Sequence, residues 1–280
     1  MKAAIYTGFD RTLPFPQALQ MIHGAGFEVV AIGADPHQLD YTSAEGRAFI
    51  REQLDRFGMT IDSVHAPFPE GDRLFSLDEA ERQESVRLCR IALDAAAELD
   101  GRIVVIHLIQ PYGIPPGDTR DGMVEQGRRS VAGLVEHAAK QGVRLALENG
   151  QMRDYDEVLI RFLTEFSAEH VGFCYDSGHE NVQGCCFRLL QQFSDRLFTV
   201  HIHDNQGADT HTLPWEGTID WNRFRHVFHG LDYAGNLLLE VVTSQSRFKD
   251  HTAFLAEARK RADRLLRAPG GCKVTEEDSG

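Results

Sequence analysis

The chain has no long apolar run. No segment approaches the roughly 20 residues that cross a bilayer, and the start, MKAAIYTGFD, lacks the apolar stretch of a secretory signal. The expectation is a cytoplasmic protein with no membrane partner. Cysteine is sparse: Cys89, Cys174, Cys185, Cys186 and Cys272 are odd in number and show no Cys-x-x-Cys spacing. That excludes a disulfide framework and leaves reduced thiols, with Cys89 in the core. No Pro/Ser-rich linker or break in composition divides the 280 residues, so one domain over 1–267 is expected rather than two. From Ala268 onward, APGGCKVTEEDSG has no periodicity and reads as a flexible tail over 268–280. An excess of positive charge is also missing. The 29 basic and 42 acidic residues give a formal charge of −13, which disfavours nucleic acid as a partner.

What is present is a recurring unit of short apolar strand, polar loop and amphipathic helix. Strands are predicted at Ala3–Thr7, Phe27–Ile32, Thr60–His65, Ile103–His107, Arg144–Glu148, Val171–Asp176, Leu197–His203 and Asn236–Val241. The helices between them are punctuated. Thr42 and Glu45 read as a capping box before Ile50, Leu54 and Phe57, with Gly58 as the stop. Ser76 and Glu79 read as the next cap, ahead of a stripe of Val86, Cys89, Leu93 and Ala96. Val131, Leu134, Val135 and Ala138 share a face before Gly142, as do Val158, Phe162 and Phe166 before the sixth strand. Strands separated by helices must run parallel, and eight such units suffice to close a sheet, so the expected fold is a single-domain α/β (β/α)8 TIM barrel. An open doubly wound sheet is the alternative; the turn TGFDRT after the first strand lacks the Gly-x-Gly-x-x-Gly that such a fold uses to cradle phosphate.

Ionisable residues fall at the strand ends. His65 ends the third strand, His107 the fourth, Glu148 the fifth, Asp176 the sixth with His179 just beyond, and Glu240 the eighth. In the stretch Leu197–Gly217, LFTVHIHDNQGADTHTLPWEG, His201 and His203 alternate with Val200 and Ile202, and Asp209 and His211 follow in the loop. The C-terminal strand ends of a parallel barrel converge on one face, so these groups should meet in one pocket. A lone strand-end histidine is ordinarily a hydrogen-bonded structural residue. A whole series of buried ionisable groups, each costing several kcal/mol unless paired or metal-bound, points instead to a divalent-metal site. His23, His37, His137, His170, His226, His229 and His251 lie outside this convergence and are given no role.

The segments VHAPF, VIHL, LENG, YDSGH, VHIHDN, LPWEGTIDW and LLLEVV, in this order over nearly the whole chain, resemble the xylose-isomerase-like barrel superfamily of sugar isomerases, epimerases and barrel-type apurinic endonucleases. The epimerase resemblance implies one divalent ion (Mn, Mg, Co or Zn) on Glu148, Asp176, His201 and Glu240, with His201 rather than His203 as ligand because Asp204 follows it by three. The endonuclease resemblance implies up to three zinc ions: on His65, His107 and Glu148; on Glu148, Asp176, His201 and Glu240; and on His179, Asp209 and His211. Between Arg196 and Arg223 there is no lysine or arginine to clamp a phosphate, which favours a small sugar or polyol substrate.

On that reading Glu148 and Glu240 remove and return a proton beside a carbonyl through an enediolate, while His65, Phe68, His107 and His179 contact substrate and Trp215 is a fifth candidate for that contact. A trinuclear-zinc phosphodiesterase and a non-catalytic metal-binding barrel are the alternatives. Two departures stand out. The arginine that ketose 3-epimerases carry shortly after the seventh-strand histidine is missing, and the family's Pro-Gly-x-Gly is Pro214, Trp215, Glu216, Gly217 here. Trp215 either walls the pocket against a sugar face or packs beneath its loop. Barrels of this kind often associate, so a homo-oligomer is a further expectation.

Overall fold

The computed structural model describes residues 1–33, 38–108, 114 and 117–269; the tail from 270, with Cys272, and also His37 lie outside the described residues. Eight parallel strands are present among them: β1 (Ala3–Tyr6), β2 (Val29–Ile32), β3 (Thr60–His65), β4 (Ile103–Ile106), β5 (Arg144–Glu148), β6 (Val171–Asp176), β7 (Leu197–His201) and β8 (Leu237–Leu239). Their order is β7-β6-β5-β4-β3-β2-β1-β8, and a parallel bridge between Ile202 and Leu239 brings the two ends together. The chain is therefore a (β/α)8 barrel, with helices α1 (Phe15–Gly24), α2 (Ala44–Phe57), α3 (Glu79–Glu98), α4 (Asp118–Gln141), α5 (Arg153–Glu165) and α9 (His251–Leu266) outside it. Two short helices, α6 (Ser177–Val182) and α7 (Arg188–Gln192), separate β6 from β7, and α8 (Trp221–Phe228) separates β7 from β8. None of the described helices is long and apolar enough to cross a membrane.

The strands are shorter than the apolar runs suggested. Phe27 is buried, but its N–H donates to Ile22 O at 3.3 Å and so completes the end of α1 rather than starting β2. His107, His203 and Glu240 lie just past the regular pairing, where the chain turns out of the sheet. Two helix starts also differ. Ser43, not Thr42, caps α2 by accepting from Gly46 N at 3.0 Å, while Thr42 is held by Asp40. Asp78, not Ser76, caps α3 through Ala80 N and Glu81 N; the Ser76 hydroxyl donates to Glu81 instead. A carboxylate accepts from two N–H groups at once, so Asp78 outcompetes the serine two residues earlier. Gly58 and Gly142 end their helices at φ 62° and 67° as expected.

Alternation along the strands decides what faces inward. Val104 and Ile106 of β4 pack with the helices in the main core, whereas Ile103 and Val105 form a separate cluster with Ala146 and Cys174 on the opposite face, inside the ring. Glu148, Asp176 and His107 keep this inward parity at the ends of their strands. The register sets Glu148 beside Cys174 and Asp176 beside His201. Four adjacent strands, β5 to β8, thus deliver their terminal side chains to one end of the barrel.

Candidate active site

Glu148, only 1 % exposed, is the hub of the cluster. Its Oε1 lies 3.0 Å from His201 Nδ1 and 3.7 Å from His179 Nδ1. Its Oε2 lies 3.3 Å from His107 Nε2 and 3.4 Å from His65 Nε2. Glu240 Oε2 approaches the same His201 Nδ1 at 3.2 Å. Asp176, fully buried, accepts from His179 N at 2.6 Å as the cap of α6 and faces His203 Nε2 at 3.0 Å. Asp209 sits between His179 Nε2 at 3.3 Å and His211 Nε2 at 3.2 Å. Every metal-ligand candidate read from the sequence is gathered here. The donor atoms of Glu148, Asp176, His201 and Glu240 all lie within 4.8 Å of one another, and so do those of His65, His107 and Glu148, and of His179, Asp209 and His211.

Backbone carbonyls fix the tautomers of three of these histidines. His65 Nδ1 donates to Ala66 O at 2.7 Å, His179 Nδ1 to Asn149 O at 2.7 Å, and His211 Nδ1 to Glu240 O at 2.9 Å. A carbonyl oxygen only accepts, so each ring carries its proton on Nδ1 and turns Nε2 toward a carboxylate. In a neutral ring that nitrogen bears a lone pair, and two facing lone pairs repel unless a proton or a cation lies between them. Asp209 Oδ1 is buried 3.2 Å from His211 Nε2, so either a second proton on that ring or a cation has to lie between them. Carboxylate oxygens and imidazole nitrogens held by outer partners are the donor set of a divalent-metal centre, and these residues fit one.

The same geometry sets the charge states of the protein's own groups. Burial pushes the His107 imidazole down, but Asp72 and Glu148 outweigh it and hold the ring at about 10. At His211 burial is likewise overcome, by Asp209 and Glu240, which raise the ring to about 9. Burial alone would raise Glu148 and Glu240; the adjacent His201, joined by His107 at Glu148 and by His211 at Glu240, holds both well below the ordinary carboxylate range.

Several residues at the site carry no signal in the sequence pattern. Asp72 lies 3.2 Å from His107 Nδ1, and the Gln151 amide donates to Asp209 at 2.9 Å. His203, dismissed as a ligand, lies against Asp176 and stacks on His211 with ring centroids 3.9 Å apart. Gly178 of the YDSGH segment makes room for it, since a Cβ there would come within 1.9 Å of the His203 ring. Asp204 accepts from Trp221 Nε1 at 2.7 Å, Trp215 N at 2.9 Å, Asn205 N at 2.9 Å and Ile219 N at 3.2 Å, so it organises the loop after β7. Cys174, read as a plain thiol, lies close beneath Glu148 and His201.

A cavity of about 720 Å3 opens above the cluster. His65, His107, His179 and Phe68 line it, and the half-exposed Phe68 ring meets His107 edge-on at 5.2 Å. Trp215 corrects an expectation. Its indole packs against Trp221 at 5.9 Å with the Arg264 guanidinium 4.1 Å over its ring, and it is not among the residues lining the cavity. The Asp204 bond to its backbone N–H and a φ of 71° turn the side chain down beneath the loop. The histidines given no role stay apart among the described residues: His137 pairs with Asp94, and His251 with Asp10.

Residues 19–264 match the sequence profile of the xylose isomerase-like TIM barrel family. The chain belongs to that family. It is 29 % identical over 249 residues to the uncharacterized protein y4fM of Sinorhizobium fredii, covering 80 % of each chain. It is 24 % identical over 264 residues to the putative L-ribulose-5-phosphate 3-epimerase SgbU of Escherichia coli, covering 85 % of this chain and 87 % of that one. The fold superposes on a D-tagatose 3-epimerase-like protein with a TM-score of 0.77 at 23 % identity, over 95 % of this chain and 97 % of the other. The xylose isomerase-like barrel expected from the strand-end motifs is thus the family of this protein.

Proposed function

We propose that this barrel is a divalent-metal-dependent isomerase or epimerase of a small sugar or polyol, which moves a proton on a carbon next to a carbonyl. One observation carries the reading: Glu148 and Glu240, from β5 and the end of β8, both approach His201 Nδ1, at 3.0 and 3.2 Å, on the floor of a cavity. Two carboxylates held in their basic form at one point are what removal and return of a carbon-bound proton require. The epimerase names of relatives that match over most of their length support the same chemistry.

Glu148, Asp176, His201 and Glu240 would hold the ion. When bound, a divalent cation supplies Lewis-acid polarisation of the carbonyl and its neighbouring hydroxyl. Glu148 and Glu240 take the proton and give it back; placed on different strands of the mouth, they reach a planar enediolate from opposite faces. His179, fixed by Asn149 O, presents Nε2 to a substrate hydroxyl, and His65 and His107 hold the hydroxyls beside it. Phe68 covers an apolar sugar face from the rim.

A trinuclear-zinc phosphodiesterase draws on the two additional donor groups around Glu148 and Asp209. Against it, Arg11 is the one lysine or arginine among the described residues that line the cavity, too little for a phosphate backbone. The intact pair of glutamates argues against a non-catalytic barrel. The test is deuterium exchange: with Mn2+ present, a panel of ketoses in D2O should acquire deuterium beside the carbonyl, read by NMR, and lose this with chelator. No exchange on any ketose, together with cleavage of an abasic-site oligonucleotide, would sink the proposal.

A further inference from the structure

The cavity has two unlike halves. One is the ionisable cluster on the ends of β3 to β8. The other reaches over β1 and β2, which end at Tyr6 and Ile32, and is walled, among the described residues, by Tyr6, Leu39, Phe68 and Leu88. Tyr6 is a built feature of this second half. A Cβ on Gly33 would come within 2.2 Å of its hydroxyl, and one on Gly8 within 2.5 Å of its ring, so two glycines from separate loops are shaped around the aromatic ring. Phe68 stands between the halves, against His107 and 48 % exposed.

A monosaccharide has about a dozen non-hydrogen atoms, well short of the drug-sized ligands that fill cavities of roughly 300–1,000 Å3. At about 720 Å3 the space is larger than the chemistry at its floor needs. The charges around the second half indicate what fills it. Among the described residues, Asp40, Glu70 and Glu84 line it against the single guanidinium of Arg11, so a phosphate would meet net repulsion. An ammonium group would find only Glu70 uncommitted among these three carboxylates, because Asp40 already accepts from Thr42 and Ser43, and both Glu84 oxygens accept from Arg87 at 2.8 and 2.7 Å. Aromatic faces with hydrogen-bonding groups at their edges suit a neutral ring bearing hydroxyls.

We infer that the substrate is a neutral two-ring glycoside, a carbonyl-bearing sugar whose second ring occupies the half of the cavity walled by Tyr6 and Phe68. This rests on the sugar reading above. The test uses the Mn2+-loaded full chain with three probes: D-fructose, isomaltulose, which carries a glucosyl ring on the fructose C6 oxygen, and fructose 6-phosphate, which carries a phosphate there. Calorimetry should give isomaltulose a Kd at least tenfold below that of fructose, with no gain for the phosphate. Leu88→Trp, which fills the second half, should bring the ratio close to one, and Phe68→Ala, at an exposed position that folding does not depend on, should lower it. Equal affinity for fructose and isomaltulose, or preference for the phosphate, overturns the inference while deuterium exchange on fructose keeps the sugar reading intact. Absence of both binding and exchange with all three probes overturns the two together.

Discussion

Asn149 and Asp176 exchange two hydrogen bonds: the Asn149 amide donates to Asp176 O at 2.9 Å, and Asp176 N donates to Asn149 Oδ1 at 2.7 Å. A side chain thus extends the β5–β6 pairing by one step, beyond the point where the strand backbones part. The two residues it ties together are the immediate neighbour of Glu148 and Asp176 itself, which makes Asn149 a positioning residue for both acids. Asn149→Ala should leave the far-UV circular dichroism unchanged and weaken Mn2+ binding by about 10- to 100-fold, the usual effect of removing an outer partner. Calorimetric titration with Mn2+ reads it, and unaltered affinity would remove Asn149 from this role.

Glu148→Gln and Glu240→Gln keep shape and remove the base. Each should lower turnover by at least about 100-fold, the usual scale for a positioned general base, with a cooperative melting transition retained. Deuterium exchange at the carbon beside the carbonyl is the measurement. Retained exchange in either variant would contradict the pairing of roles.

Elemental analysis of the purified chain should find one divalent ion for each polypeptide, and Asp176→Asn should abolish most of that content. Three zinc ions per chain would instead favour phosphodiester chemistry, because the donor groups around His65 and around Asp209 would then be filled as well.

The pH dependence of stability has a definite sign. His107 and His211 stand at about 10 and about 9, above the ~6.5 of an unfolded imidazole. Their contribution is complete below about pH 6.5 and is lost as pH rises through 9 to 10. Glu148 and Glu240 are depressed, so their contribution is present above the unfolded value near ~4.3 and lost only as pH falls through their lower folded values. The Tm of chelator-stripped protein should therefore drop by roughly 5 °C or more between pH 7 and pH 10. Saturating Mn2+ supplies the counter-charge that the protons gave and should flatten this alkaline arm. Equal slopes with and without the ion would speak against a shared site.

The barrel was legible in the sequence because all eight strands are short apolar runs and six of them, β3 to β8, carry an ionisable residue at or just past the C-terminal end, a coincidence with few structural explanations. The shared facing of His201 and His203 follows from their alternation with Val200 and Ile202. Asp72, Asn149 and Gln151 were not legible. They reach the site from loops, where no periodicity ties a residue to a direction. Trp215 shows the same limit: its place depends on one backbone hydrogen bond to Asp204 and a left-handed φ, neither of which leaves a mark in the local pattern. The caps of α2 and α3 were misplaced by one and two residues because adjacent Ser, Thr and Asp compete for the same N–H groups.

Asp204 offers a test of the loop that carries Asp209 and His211. Asp204→Ala leaves four donors, among them a buried indole N–H, without their acceptor, at about 1–3 kcal/mol for each one that water does not reach. The Tm should fall by roughly 10 °C, and Asp204→Asn should recover part of the loss. A drop within error would mean that the loop is held by other contacts.

The ring of strands closes where β7 meets β8, and there the regular ladder gives way to a single bridge, with Ile202 N donating to Leu238 O at 2.9 Å and Glu240 N to Ile202 O at 3.2 Å. His201 stands on one bank of this seam and Glu240 on the other. A cation gripped by both would act as a rivet across the thinnest join in the cylinder, so loading the centre and fastening the barrel shut become a single event.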